Sequence, residues 1–385
     1  MAAVSCRWPA SDQGAAAICA AAKHVKDWDL FLRVIKRHHV VVLARQSLRA
    51  TEIKLPPAIN EQLDALVQQH VRHGLKLAAE TARLQNLLAA AGIPAIVLKG
   101  AALEQLAYAS IAIKQTRDID LLVPVECAQL ALQIIERVGY ALFLPAKNLN
   151  QRQRSALVRF GREVELVEPR TKIRVELQWR AADNPVLLSG IDAHAATQTV
   201  MLSESAGVRT LAPDNLFAYL CVHGAHHSWS RLKWLADLNA LIASTKPDLE
   251  HLYRHAKSVG AGLCAGQALL LCQQLFGLRL PDVIARELKA HKRCQRLVAV
   301  AIEAMTESNG FAERDQGTRA VMRGLRNQLM LGHGWAFYAA QWRLACAGVA
   351  DIVRIPLPRP LHFVYPLLRL PLWLWRRARL ALAPF

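Results

Sequence analysis

A chain of 385 residues is long enough for two or three packed units, since a single core stops growing near about 250–300 residues. Its composition, 53% hydrophobic and 20% charged with a mean hydropathy of +0.15, excludes a disordered chain and describes an ordered, somewhat apolar globular one. Forty-eight Lys and Arg against 30 Asp and Glu leave a net +18, a field that attracts nucleotides, nucleic acid or an anionic bilayer surface without choosing among them, and no long basic block marks a nucleic-acid arm.

Residues 1–22 carry Arg7, then Asp12 and an alanine-rich stretch without an apolar run of the signal-peptide kind, so a cytoplasmic location is expected. The eight cysteines, Cys6, Cys19, Cys127, Cys221, Cys264, Cys272, Cys294 and Cys346, form no C-x-x-C pair, which argues against a zinc ribbon or disulfide framework. From Ala15 to about Leu88 the text has helical periodicity, broken into two parts at Leu55-Pro56-Pro57. Residues 1–90 therefore read as an N-terminal helical region.

Between Gly92 and Trp179 short β-branched runs alternate with helical stretches, the pattern of a small α/β or α+β unit over residues 91–180. Pro94 to Leu98 reads as a buried strand and Gly100 to Tyr108 as the helix after it. Asp118 to Val123 is a second strand, and Glu126 to Val138 a helix ended by Gly139. Arg162–Val167 and Ile173–Trp179 form a hairpin around the turn residues Glu168 to Thr171. The text is helical again from about Leu211, where Pro213 and Asp214 open a helix, and 181–350 reads as a C-terminal helical domain. Residues 351–385 form a basic apolar tail: from Ile352 onward it has six arginines and no acid, and prolines interrupt it too often for a membrane-spanning helix.

On a strand alternate side chains share a face, so Asp118 and Asp120 project together while Ile119, Leu121 and Val123 pack inward. Two carboxylates held so close need a cation, and hard oxygen donors suit Mg²⁺ or Mn²⁺ with a triphosphate completing the shell. Upstream, Lys99 and Gly100 stand where a strand turns into a helix, whose free N–H groups and dipole favour phosphate. Arg174, Glu176 and Gln178 share one face of a later strand, which offers Glu176 as a third acid and base for an acceptor hydroxyl; the same pattern also fits an ordinary half-buried strand. His223 and His227 lie four apart on one helical face, followed by Lys233. A zinc site there lacks a third ligand, leaving packing or contact with a nucleotide or acceptor phosphate.

Ile93 to Leu103, Tyr108, Arg117 to Val123, Gly139-Tyr140, Val175 to Trp179 and Leu220 to Asp237 together resemble the uncharacterised nucleotidyltransferase family of bacteria, within the DNA polymerase β-like superfamily. The resemblance spans roughly residues 28–245. It implies an α+β fold in which a small polymerase β-like core, a mixed sheet with helices, is embedded between helical regions. It also implies a Gly-bearing strand-to-helix turn ahead of the acid pair and a third acid on a later strand, so Asp118, Asp120 and Glu176 are the expected catalytic and metal-binding acids; from position and charge, Lys99, Gly100, Lys114, Arg117, His223, His227 and Lys233 are the expected nucleotide-binding residues, with the phosphate-facing cation open between Lys114 and Arg117. Members often carry His where this chain has Gln178, and an Arg before the acid pair where it has Lys114 and Arg117. The expected partners are an NTP such as ATP and an unidentified acceptor, which could be a small molecule, sugar phosphate, peptide, protein or RNA end. Peripheral contact of the tail with the inner membrane face is a further expectation. Two other readings compete: an inactive nucleotide-binding or scaffold protein on the same fold, and a glycosyltransferase using D-x-D on a nucleotide sugar.

Overall fold

The computed structural model describes residues 1–146, 148–306, 318–346, 348–355, 357–369, 371, 372 and 375. The N-terminal region consists of α1 (Asp12–Ala22), α2 (Trp28–Arg37), α3 (Val41–Arg49) and the long α4 (Pro57–Ala90). Ser11 and Asp27 cap α1 and α2 by accepting the N–H of Gly14 and Leu30. Pro57 opens α4 at a position that needs no N–H, so the break expected at 55–57 is real, although the text before it folds into three helices rather than one part.

The sheet unit follows: β1 (Ile96–Val97), α5 (Ala101–Tyr108), β2 (Asp118–Leu122), α6 (Ala128–Arg137), β3 (Ala141–Leu144), α7 (Gln151–Phe160), β4 (Glu163–Val167), β5 (Arg174–Gln178), β6 (Thr197–Met201) and β7 (Gly207–Leu211). The strands form one mixed sheet in the order β3-β4-β5-β2-β1-β7-β6. The pairs β2–β5 and β1–β7 are parallel and the other four antiparallel. The fold is therefore α+β, as expected.

β3 and α7 fill a stretch to which the sequence had assigned no element. β6 and β7 are a correction to the helical reading of 181–350: the sheet continues past residue 180, and β7 supplies the parallel neighbour of β1, with Val97 opposite Thr210. Both strands are short and half-polar, so no apolar alternation announces them.

The sheet separates two cores. Val97, Ile119, Leu121, Val175 and Leu177 pack with α4, α6 and α7 on one face. Ile96, Leu98 and Leu122 face α5 and the helices that follow β7, namely α8 (Pro213–His226), α9 (Leu232–Thr245), α10 (Leu249–Ser258) and α11 (Gly262–Phe276). Because side chains alternate, the carboxylates of β2 lie on that second face, under helices rather than under open solvent. Trp229, fully buried, fixes the α8–α9 corner by donating its indole N–H to Gln267. Its ring lies so close to Gly224 that a Cβ there would be 2.3 Å from it, so α8 tolerates only glycine at that position.

Beyond α12 (Asp282–Ala290) and α13 (Lys292–Thr306), the helices α14 (Thr318–Met330) and α15 (Trp335–Cys346) pass into α16 (Val349–Arg354). The described part of the tail folds back on α7 and the sheet core, with Ile352, Val353 and Tyr365 buried. Tyr365 Oη donates to the Ile355 carbonyl and accepts the Leu357 N–H, both at 2.9 Å. Arg376, Arg377 and Arg379 lie outside the described residues. Among those described, no helix is long and apolar enough to cross a membrane.

Candidate active site

Parallel pairing of β2 with β5 puts Asp118 opposite Arg174 and Asp120 opposite Glu176. Partners in parallel register point to the same face, so Glu176 stands beside Asp120, where the sequence had placed the third acid. Glu163 and Glu165, the other acids of the hairpin, are taken by arginines: Glu163 meets Arg162 at 2.5 Å and Glu165 meets Arg174 at 2.8 Å.

Lys99 enters this cluster from the end of β1. Its Nζ is 3.0 Å from Asp120 Oδ1 and 4.0 Å from Glu176 Oε2. Gly100, at φ +68° and ψ −134°, lets the chain turn sharply there into α5, a conformation L side chains rarely adopt. Gln178 Nε2 donates to Asp120 Oδ1 at 3.2 Å and lies 3.4 Å from Glu176 Oε2, so the amide spans the two acids. Asp120 Oδ2 is buried and has no hydrogen-bond partner.

Burial draws the Lys99 ammonium down, but Asp120, Asp118 and Glu176 outweigh it and hold its pKa well above the usual lysine range. The two aspartates are driven apart. Burial raises Asp120 far above the ordinary carboxylate range despite Lys99, with Glu176 and Asp118 adding to the rise. Burial also opposes ionisation of Asp118, yet Lys99, Lys233, Lys114 and Arg117 overcome it and keep its pKa low.

The loop from Ala109 to Arg117 is pinned from three sides. Buried Glu104 accepts the N–H groups of Ile113 and Lys114 through Oε1; burial raises its pKa to about 7 against those two donors and Lys114. Gln115 Oε1 accepts the Val41 N–H at 2.9 Å, and its amide meets His70. Lys114, expected on a phosphate, instead reaches Asp237 of α9 at 3.4 Å, and Asp237 accepts the Tyr108 hydroxyl at 2.9 Å. Lys233 is, after Lys99, the cation that acts most strongly on Asp118; burial lowers its pKa to about 8 against the pull of Asp118.

His223 and His227 form an aromatic stripe with Tyr219 and Trp234. His227 stacks on Trp234 with centroids 5.0 Å apart, and His223 lies 5.9 Å from Tyr219 and 4.9 Å from His227. Burial, Lys99 and Arg162 push both histidines well below their usual pKa, so they are neutral, and His223 Nε2 is buried without a partner. With Arg162, Asp183 and His226 they line a cavity of about 290 Å³. A larger cleft, about 860 Å³, opens at the other end of β2, where Thr116 and Arg117 line it.

The structure thus brings Asp118, Asp120, Glu176, Lys99, Gly100 and Lys233 to one place, sets His223 and His227 against it, keeps Lys114 at its edge paired with Asp237 and turns Arg117 toward the larger cleft. Gln178, Glu104, Asp237 and Gln115 were missed as contributors. Gln178 had a sequence signal in its shared face with Glu176, and Asp237 in closing the string that begins at Leu220; Glu104 and Gln115 had none. Among the described residues no three His, Cys, Asp or Glu side chains form a ready metal-holding group; the cation balancing the acids is the Lys99 ammonium. The donors are nonetheless hard oxygens, and the orphaned Asp120 Oδ2 fits a hard divalent ion.

No curated protein matches the sequence. The profile of the uncharacterised nucleotidyltransferases matches residues 24–277, a stretch that contains β1 to β7, the acids, the lysines and the α8–α9 histidines. That match sets aside the sugar-transfer reading of D-x-D. The chain belongs to the family of uncharacterised nucleotidyltransferases.

Proposed function

We propose that this protein moves a nucleoside monophosphate from ATP or another NTP to an acceptor, with release of pyrophosphate, in a reaction that depends on Mg²⁺ or Mn²⁺. The observation that carries the reading is the juxtaposition of Asp118, Asp120 and Glu176 on neighbouring parallel strands beside Lys99. Asp118, Asp120 and Glu176 would hold the metal, which when bound neutralises charge on the attacking and leaving oxygens. Glu176, with 29% of its side chain exposed against none for Asp120, is the acid open to an acceptor hydroxyl and takes its proton. Lys99 and Lys233 answer the negative charge that builds on the departing pyrophosphate. The neutral rings of His223 and His227 border the site without adding charge to it.

One observation favours a second reading, a nucleotide-binding scaffold without turnover: Asp120 is buried and already paired with an ammonium. Incubating the full chain with each of the four NTPs, labelled at the γ-phosphate that leaves in pyrophosphate, together with Mg²⁺ and a mixture of small-molecule hydroxyl acceptors, separates the two. Pyrophosphate release that disappears in Asp118→Asn supports transfer. Nucleotide binding with no pyrophosphate from any of the four leaves the scaffold.

A further inference from the structure

The 860 Å³ cleft is lined by four cationic side chains, Arg72 and Lys76 of α4, Arg117 beside Asp118, and Arg170 of the β4–β5 turn. Histidines, glutamines, threonines, Ala65 and Ile173 make up the rest, and among the described residues no Asp or Glu lines it. Among the described residues Arg72, Lys76 and Arg170 have no carboxylate within ion-pairing distance, whereas the arginines of the neighbouring hairpin, Arg162 and Arg174, are each paired with a glutamate. The Thr116 hydroxyl, on the lining loop, is buried and lacks a hydrogen-bond partner. Positive charge gathered in a concave site without internal acids costs stability through mutual repulsion, which an anionic ligand relieves.

Location gives the anion a role. β5 runs from Arg174 beside Asp118 to Gln178 beside Leu122, and Arg117, next to Asp118 in the chain, lines the cleft, which therefore lies toward the Asp118 end of the strand pair. The smaller cavity is lined by Arg162, Tyr219 and His223 and lies toward the Gln178 end, since Arg162 precedes the Glu163 that pairs with Gln178. A transfer between two substrates needs two approaches to one set of acids. The smaller cavity has aromatic walls for a base to stack on. The cleft has cations in numbers that a single triphosphate, already served by Lys99 and Lys233, does not require.

We propose that this cleft is the acceptor site and that the acceptor is a small molecule carrying a phosphate monoester, held by Arg72, Lys76 and Arg170 with its hydroxyl directed toward Asp118 and Glu176. The assignment rests on the nucleotidyl-transfer reading for the word acceptor, but not for the binding itself. The histidines of the cleft support a fixed recognition surface: burial with Lys233, Arg231 and Arg117 lowers His39 to about 3, burial with His73 lowers His70, and burial with Lys76 lowers His73, so at neutral pH they act as neutral hydrogen-bonding groups while the charge stays on Arg and Lys.

The test uses full-length protein, ribose 5-phosphate as probe and the triple variant R72Q/K76Q/R170Q, whose three positions are exposed and should leave folding intact by circular dichroism. Calorimetric titration should show ribose 5-phosphate binding weakened at least tenfold in the variant, with the affinity for a fluorescent ATP analogue changed less than twofold. Equal ribose 5-phosphate affinity in the two proteins overturns the site. A parallel loss of ATP-analogue binding overturns the acceptor assignment, because the cleft would then hold the triphosphate. Failure of wild type to bind ribose 5-phosphate while it binds a single-stranded RNA through the same three residues overturns the small-molecule assignment. Wild type that binds ribose 5-phosphate through them but never releases pyrophosphate upholds the site and sinks only the transfer reading.

Discussion

Lys99 and Asp120 form a buried ion pair, Nζ to Oδ1 3.0 Å, in which the carboxylate is fully enclosed and its second oxygen bonds to nothing. The pair sits beside Asp118 and Glu176, and the surroundings treat the two aspartates unequally: burial with Glu176 and Asp118 disfavours the charge on Asp120, while four cations favour that on Asp118.

That imbalance gives the two aspartates opposite effects on stability. Asp120→Asn removes a charge the fold disfavours and keeps an oxygen for Lys99, so its urea midpoint should hold or rise by up to about 1 kcal/mol equivalent, while pyrophosphate release falls at least about 100-fold. Asp118→Asn removes a charge that four cations favour, and should lose both activity and about 1 kcal/mol of stability. A fall in stability in both variants would show the imbalance to be wrong.

Lys233 should set an alkaline limit on nucleotide binding. With its pKa lowered to about 8 by burial, the ammonium is lost as pH rises through 8, and affinity for a fluorescent NTP should drop on the order of tenfold between pH 7 and 9. Lys233→Arg, always charged, should flatten that profile. A wild-type profile without a break near pH 8 would remove Lys233 from the triphosphate.

Glu104 makes a prediction about stability alone. Its folded pKa, about 7, lies above its ordinary 4.5 because of burial. The folded state therefore holds the proton more tightly, and stability falls as pH rises from about 4.5 to 7. Glu104→Gln keeps an acceptor for the Ile113 and Lys114 N–H groups without the charge. Relative to wild type it should gain up to about 3 kcal/mol between pH 5 and pH 8, read from urea unfolding at both pH values; an unchanged difference would place the titration elsewhere.

The tail gives a paired prediction. Deletion of 358–385 removes buried Tyr365 and its two hydrogen bonds, and Tyr365→Phe alone should cost about 1–2 kcal/mol. Phe363 and Leu367 are 70% and 71% exposed. The double variant F363S/L367S should leave Tm unchanged yet reduce co-sedimentation with phosphatidylglycerol vesicles at low salt, if the tail meets an anionic bilayer. Identical sedimentation of wild type and variant would end the membrane reading.

By itself the sequence determined what is local in period or spacing. Asp118 and Asp120 had to share a face once their segment was a strand, Gly100 had to turn the chain after Lys99, and His223 had to sit one turn from His227. Glu176 could be anticipated as a third acid because its strand has the same two-residue period. What the tertiary structure decided is the pairing of charges across long separations. Lys114 and Asp237 are 123 positions apart, a contact made by the packing of α9 against α5 and invisible to any periodicity. Lys99 and Lys233 read alike in the sequence, yet one is raised by three carboxylates while the other is lowered by burial and neighbouring lysines. The strands Thr197–Met201 and Gly207–Leu211 escaped notice for the same reason: their stability comes from pairing with a two-residue β1 and from burial under α5 and α8, which are properties of neighbours and not of the strands' own residues.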